Sequence, residues 1–374
     1  MSNKITAGLV VAAGMSSRMK AFKPLMKLGE KTLIEYVVDT LREGGVQEIV
    51  VVTGNRAMEI EKQLASRNIH FIRNENYATT SMFQSVKLGL KYLNNRCDEF
   101  FFLPGDIPLF KVSSLRAMKK EMCGRKCTVV QPMYNGKHGH PLLFSADCIE
   151  YLLLHDGTMG MKGAMESLIG EKVELILPDK GILMDADTQE DYKVLNAYFL
   201  NMKIPEEKVC MEILRYFKAD EGTIEHCIVV AELATDIAIR LKNKGHTLNI
   251  ALVRAGALLH DVARRQNNHA ECGAEWLREL GYYEIARVVE EHMDLSEEAV
   301  KLLDERAVVY LADKLVIENQ RVSIEKRFQR AINRFGEDSD AMDAVKIRMR
   351  NANEILKTIE EKIGGITYEN YIRI

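Results

Sequence analysis

Two sets of chemistry-bearing side chains are segregated along this chain. Near its start, Leu9-Val10-Val11-Ala12-Ala13-Gly14-Met15-Ser16-Ser17-Arg18-Met19-Lys20-Ala21-Phe22-Lys23 passes from apolar residues into a small-residue loop carrying Arg18 and then Lys23. Small residues let backbone N–H groups approach an anion closely, while guanidinium and ammonium neutralise charge spread over phosphates. Such a loop suits a nucleotide triphosphate; the plain alternative is a strand and tight turn with two solvated cations. Asp106, in Phe100-Phe101-Phe102-Leu103-Pro104-Gly105-Asp106-Ile107-Pro108, and Asp187, in Leu183-Met184-Asp185-Ala186-Asp187-Thr188, each follow an apolar stretch. Carboxylates at strand ends can hold Mg²⁺, a hard cation that bridges nucleotide phosphates. Taken singly, Gly105-Asp106 reads as a turn and Asp187 as a helix cap. Farther along, His226, the pair His260-Asp261 and Asp313 combine imidazole with carboxylate, a donor set suited to Zn, Mn or Fe.

Several function classes fall away. The first loop lacks the Gly-Lys-Ser/Thr ending of a P-loop and the three spaced glycines of a dinucleotide fingerprint. Lys4 before Ile5 to Ala13, with Val11-Ala12-Ala13 behind it, has the outline of a signal peptide, but the loop residues that follow make chemical sense together, so that reading is rejected. A net charge of −3 offers no general basic field for nucleic acid. No apolar run approaches the ~20 residues of a membrane span. The 7 cysteines (Cys97, Cys123, Cys127, Cys148, Cys210, Cys227, Cys272) are odd in number and show no CxxC pair, which points to a reducing, cytoplasmic setting.

The elements that must position these groups follow two rhythms. With 374 residues, 47% of them hydrophobic, the chain can build two domains with sizeable cores. Strands are predicted at Ile5 to Ala12, Glu48 to Thr53, His70 to Ile72, Glu99 to Leu103, Thr128 to Met133 and Val173 to Leu177. Between them, apolar residues three and four apart predict helices at Thr32 to Glu43, Met58 to Ser66, Met82 to Tyr92 and Ser113 to Met122. This alternation predicts an α/β domain over residues 1–200, a Rossmann-like, mostly parallel sheet covered on both faces, with ligands at the carboxyl ends of its strands. Past Pro205, expected at the first position of a helix, helical periodicity runs on through Cys227 to Leu241, Ile250 to Leu259, Ala274 to Leu280 and Ala341 to Ile363. Residues 206–374 therefore read as an all-α domain.

The first 200 residues resemble the MobA-like nucleotidyltransferases, and within them the molybdenum cofactor cytidylyltransferases. The resemblance rests on Ala12 to Met19 with Lys23, Val52-Thr53-Gly54, Asn74 with Tyr77, Ser85-Val86-Lys87, Gly105 to Pro108, Gly139-His140-Pro141 and Asp185-Ala186-Asp187-Thr188. It implies that Ala12, Ala13, Gly14, Ser16, Arg18, Lys23 and Ser85 bind the nucleotide, and that Asp106 and Asp187 hold Mg²⁺. Arg18, Lys23, Asp106 and Asp187 would carry catalysis, an acceptor phosphate attacking the α-phosphate and releasing pyrophosphate. The implied substrates are CTP and molybdenum cofactor, with a molybdenum hydroxylase apoenzyme as a further partner. Related guanylyltransferases usually have Ala-Gly-Gly where this chain has Ala12-Ala13-Gly14, so the Ala13 methyl should narrow the base pocket toward a pyrimidine. Lys20 and the Thr79-Thr80-Ser81 segment depart from the family pattern, each lacking a usual glycine. His140 either contacts the acceptor or is a turn histidine satisfied by backbone.

Residues from Glu206 to Asn319 resemble the HD-domain metal-dependent phosphohydrolases, through His226, His260-Asp261 and Asp313. His269 and His292 fall where members with two metals place further ligands, so the resemblance implies a site for one or two Mn, Fe or Zn ions, the second completed by these histidines. Beyond it, Arg321, Lys326, Arg327, Arg330 and Arg334 crowd one stretch, a solvated helix face by default and a phosphate-recruiting face as the alternative. The combined expectation is a cytidylyltransferase joined to a phosphohydrolase. The runner-up is a cytidylyltransferase acting on a sugar or polyol phosphate, with the HD domain regulatory.

Overall fold

The computed structural model describes residues 4–15, 22–335 and 339–364. The chain divides into two compact units, residues 1–201 and 202–374.

The first unit is built on a twisted sheet. Its strands are β1 (Thr6–Ala12), β2 (Glu48–Thr53), β3 (His70–Arg73), β4 (Glu99–Pro104), β5 (Val129–Tyr134), β6 (Leu142–Ser145) and β7 (Lys172–Ile176). They lie in the order β7-β5-β6-β4-β1-β2-β3, and Lys137–His138 adds a short strand on β5. The neighbours are parallel except β6, which runs antiparallel to both β4 and β5, and the short strand, which runs antiparallel to β5. Every residue of β1 is buried, as expected for a central strand covered on both faces. The helices are α1 (Leu33–Glu43), α2 (Ala57–Gln63), α3 (Met82–Leu93), α4 (Val112–Arg125), α5 (Ile149–Leu154), α6 (Gly160–Ser167) and α7 (Gln189–Asn201). Thr32 caps α1 reciprocally with Glu35, whose carboxylate accepts from the Thr32 backbone N–H at 2.7 Å. On one face of the sheet, Leu9, Val11, Val50, Val52, Phe100 and Phe102 pack with Phe83, Val86 and Leu90 of α3.

Register places the candidate site. Val11 stands opposite Val52 on β2 and Pro104 on β4, so the chain leaves three adjacent parallel strands along one line, at Ala13-Gly14, Gly54 and Gly105-Asp106. Gly54 is required there: a Cβ would sit 2.6 Å from Tyr77 Cβ and 2.8 Å from the Ala13 carbonyl oxygen. Gly54→Ala is therefore expected to destabilise the protein by about 1–3 kcal/mol through overpacking, read as a lower denaturant midpoint.

The second unit is helical: α8 (Glu207–Tyr216), α9 (Glu221–Asn243), α10 (Ile250–Leu259), α11 (His269–Glu279), α12 (Tyr283–Glu290), α13 (Glu297–Leu302), α14 (Glu305–Lys314), α15 (Ile324–Phe335) and α16 (Ser339–Ile363). Helix α10 packs against α8, α9, α12 and α14, and α16 against α9 and α14. A short hairpin, Val316–Ile317 with Gln320–Arg321, interrupts the helices.

One strand escapes the sequence reading, and three sequence expectations need correction. The short run Leu142–Ser145 is a strand, hidden because a four-residue apolar segment behind Pro141 shows no alternation. Pro205 is not the first residue of a helix; it precedes Glu206, the N-cap of α8, whose helical turns begin at Glu207. Helix α2 stops at Gln63 instead of Ser66, because Leu64 already leaves helical geometry. Helix α11 begins at His269, five residues before Ala274, its first turn being polar and invisible to hydrophobic periodicity.

Candidate functional site

At the carboxyl edge of the first unit's sheet lies an open cleft lined by Ala12, Ala13, Gly14, Lys23, Tyr77, Ser85 and Asp106 among others. Lys23, in a 3₁₀ turn spanning Lys23–Leu25, reaches across the edge and its Nζ donates to both Asp106 Oδ2, at 3.3 Å, and Asp187 Oδ1. Partial burial opposes the ammonium's charge, but hydrogen bonds and attraction from Asp187 and Asp106 outweigh it and raise its pKa. Asp185 is pushed the other way for a carboxylate, upward, by burial and by the negative charge of Asp187 and Asp106. Three carboxylates thus share one region, a hard-oxygen donor set that fits a magnesium ion. Asp187 itself is not a cap: Thr188 closes the start of α7, accepting from the Asp191 backbone N–H at 3.2 Å.

Ser85 enters the cleft from the first turn of α3. Its hydroxyl accepts from Asn74 Nδ2 at 2.9 Å, and the same amide nitrogen donates to Thr80 Oγ1 at 3.0 Å, so buried Asn74 ties the Thr79-Thr80-Ser81 segment to the helix. Ser16 and Arg18 lie outside the described residues. His140 does not line the cleft. Its ring stands edge-on to Phe102, its backbone N–H donates to the Ile182 carbonyl at 2.9 Å, and burial pushes its pKa down to about 4, so it is neutral at pH 7. Pro24 and Met82 also line the cleft, and no pattern of chemical groups in the sequence marks them.

In the second unit six side chains from five segments converge. His226 lies on α9, His260 and Asp261 follow the end of α10, His269 opens α11, His292 follows α12, and Asp313 lies on α14. Asp261 stands between two groups of imidazoles. Its Oδ2 is 3.8 Å from His226 Nε2 and 3.5 Å from His260 Nε2, while its Oδ1 is 3.4 Å from His269 Nε2 and 3.6 Å from His292 Nε2. Asp313 Oδ1 closes the first group, 3.2 Å from His226 Nε2 and 3.6 Å from His260 Nε2. Both triplets, His226/His260/Asp261 and Asp261/His269/His292, have ligand atoms within 4.8 Å of one another.

Backbone carbonyls set the tautomers. His226 Nδ1 donates to Glu318 O at 2.7 Å, His260 Nδ1 to Ala257 O at 2.7 Å, and His292 Nδ1 to Val289 O at 2.6 Å. A carbonyl only accepts, so each Nδ1 carries a proton and each Nε2 is the atom facing the centre, the one that would offer its lone pair to a metal once free of a proton. His260 Nε2 is fully buried and has no hydrogen-bond partner, an orphan that a divalent cation would satisfy. Burial works against a charged His260, but Asp261 and then Cys227 and Asp313 outweigh it and raise its pKa. His292 and His269 are held below the ordinary histidine value, by burial first and by neighbouring imidazoles next. Asp313 resists burial and stays well below the usual carboxylate range because Lys314 donates to its Oδ2 at 2.6 Å, with His226 and His260 adding to the effect. Arg264 pairs with Asp261. Lys314 and Arg264 were not singled out from the sequence, although each lies within three residues of a candidate ligand.

Residues 8–173 match the MobA-like NTP transferase domain family and residues 223–317 match the HD domain family. Among curated proteins, the chain is 34% identical over 155 residues to the uncharacterized protein MJ0778 of Methanocaldococcus jannaschii, covering 37% of this chain and 91% of that one. It is 28% identical over 188 residues to the molybdenum cofactor cytidylyltransferase of Escherichia coli, covering 49% of this chain and 92% of that one. Among solved structures, a nucleotidyl transferase from Methanothermobacter is 24% identical, covers 54% of this chain and 100% of its own, and aligns with a TM-score of 0.47. Among the described residues, no helix is long and apolar enough to cross a membrane. The chain belongs, through its first unit, to the MobA-like nucleotidyltransferases, and it joins that enzyme domain to a helical HD domain of the phosphohydrolase type.

Proposed function

We propose that the first unit transfers a cytidylyl group from CTP to molybdenum cofactor and releases pyrophosphate, and that the second hydrolyses a phosphate ester or anhydride. The observation that carries the first assignment is the Lys23 bridge between Asp106 and Asp187 beside the cleft at the carboxyl edge of the sheet. In this reading Ala12, Ala13, Gly14 and Ser85 seat the nucleotide, Lys23 pairs with its phosphates, and Asp106 and Asp187 would hold Mg²⁺. The ion supplies charge neutralisation at the phosphates. An acceptor phosphate oxygen then forms a bond to the α-phosphorus as the bond to the pyrophosphate oxygen breaks, aligned by the cleft without a covalent enzyme intermediate. An acceptor contact from neutral His140 would require the acceptor to reach beyond the cleft lining, toward Phe102. A molybdenum hydroxylase apoenzyme would take up the product. The 7 cysteines, all free thiols, suit a reducing cytoplasm.

The second unit's six side chains would hold one or two divalent ions, Asp261 being common to both triplets; Mn, Fe and Zn all accept this donor set. Such a pair supplies hydroxide and clamps a phosphate.

The deciding experiment measures pyrophosphate release from CTP with molybdenum cofactor, then with sugar and polyol phosphates in its place. Turnover with cofactor alone supports the proposal; turnover only with a sugar or polyol phosphate replaces the acceptor. Base choice is tested separately. Ala13 is 4% exposed and lines the cleft, so Ala13→Gly is expected to lower the CTP to GTP ratio of kcat/KM by about tenfold, since one methyl is worth ~1–3 kcal/mol of discrimination. An unchanged ratio removes Ala13 from base selection.

A further inference from the structure

Helix α15 lies beyond residue 317, where the HD match ends, yet it delivers a guanidinium to the histidine and carboxylate centre. Ile324 and Phe328 are buried and dock one face of the helix. Arg327, on the adjoining position, holds Nη2 3.8 Å from Asp313 Oδ1. That is longer than a hydrogen bond, and among the described residues the Arg327 side chain makes no other ion pair or hydrogen bond. Asp313 does not depend on it. Lys314 already satisfies Oδ2 at 2.6 Å, and His226 lies 3.2 Å from Oδ1. The two cations differ in setting: the Lys314 side chain is 4% exposed and fixed between Asp313 and the His292 carbonyl, whereas Arg327 is 32% exposed, at the border of the centre with its donors unspent.

We propose that Arg327 binds the phosphate group of the HD site's substrate, as a catalytic residue contributed by a helix outside the matched domain. The proposal rests on the reading of the second unit as a metal-dependent phosphohydrolase. A guanidinium suits the task because its planar fork pairs with two phosphate oxygens at once and keeps its charge at any working pH. Its setting separates Arg327 from Lys326 and Arg330 of the same basic stretch. Arg330, one turn on, is 66% exposed and lies 3.4 Å from the Glu318 carboxylate, and Lys326 is exposed, so both belong to a solvated face.

The test titrates inorganic phosphate into the full-length, Mn²⁺-loaded protein by calorimetry, after metal content has been measured. Arg327→Gln is expected to weaken phosphate binding about 10- to 100-fold, the range for losing hydrogen bonds to a charged group, with Mn²⁺ content unchanged. Arg327→Lys should recover part of the loss, and Arg330→Gln should bind phosphate as the wild type does. Equal phosphate affinity in wild type and Arg327→Gln overturns the proposal. So does a fall in Mn²⁺ content in a folded Arg327→Gln protein, which would assign Arg327 to support of Asp313. Wild type that takes up Mn²⁺ but no phosphate also overturns it, whereas wild type that takes up no Mn²⁺ overturns the phosphohydrolase reading beneath it.

Discussion

Asp261→Asn is expected to empty the second unit of metal altogether. The Asp261 carboxylate faces His226 and His260 with one oxygen and His269 and His292 with the other, so it is the single side chain both groups share. The amide keeps the shape but offers one weaker acceptor and no charge. Loss of a direct ligand should exceed the ~10–100-fold drop in affinity typical of partners that only orient ligands. His269→Ala makes the contrast: it should lower the metal content of one group and spare the other, because His269 approaches only Asp261 Oδ1 and His292. Elemental analysis after loading with Mn²⁺ and gel filtration checks both. If Asp261→Asn retains the wild-type metal content, the shared-carboxylate arrangement is wrong. Cytidylyl transfer should persist in both variants, since every ligand here belongs to the second unit and every proposed transfer residue to the first.

Asp106→Asn is expected to cut nucleotidyl transfer by about a thousandfold, several kcal/mol of transition-state charge stabilisation at about 1.4 kcal/mol per factor of ten. The fold should survive, because the partly exposed Asp106 leaves Lys23 its second partner, Asp187. Pyrophosphate release at saturating Mg²⁺ and CTP, with thermal unfolding alongside, makes the measurement. A near-normal rate would remove Asp106 from the metal site, and a collapsed melting temperature would make its role structural.

The donor types were legible from the sequence because chemistry constrains them: a phosphate loop needs small residues and cations, and a transition-metal site needs imidazole with carboxylate. The alternation of apolar runs with helical periods was also enough to separate an α/β half from a helical one, since burial on a sheet and on a helix leave different spacings. What the linear pattern cannot carry is convergence. Lys23 meets Asp106 and Asp187 across 83 and 164 residues, a meeting decided by the register that aligns the ends of β1, β2 and β4. The histidine tautomers depend on the carbonyls of Glu318, Ala257 and Val289, and a carbonyl is the same whatever side chain its residue bears. Asp261 reads as one ligand among six, and only the packing of α10 against its neighbours sets it between two groups. Arg327 reads as one cation in a basic run. Burial of Ile324 and Phe328 turns it toward Asp313 and leaves Arg330 to solvent, a distinction made by which face of α15 is docked and by nothing in the residue itself.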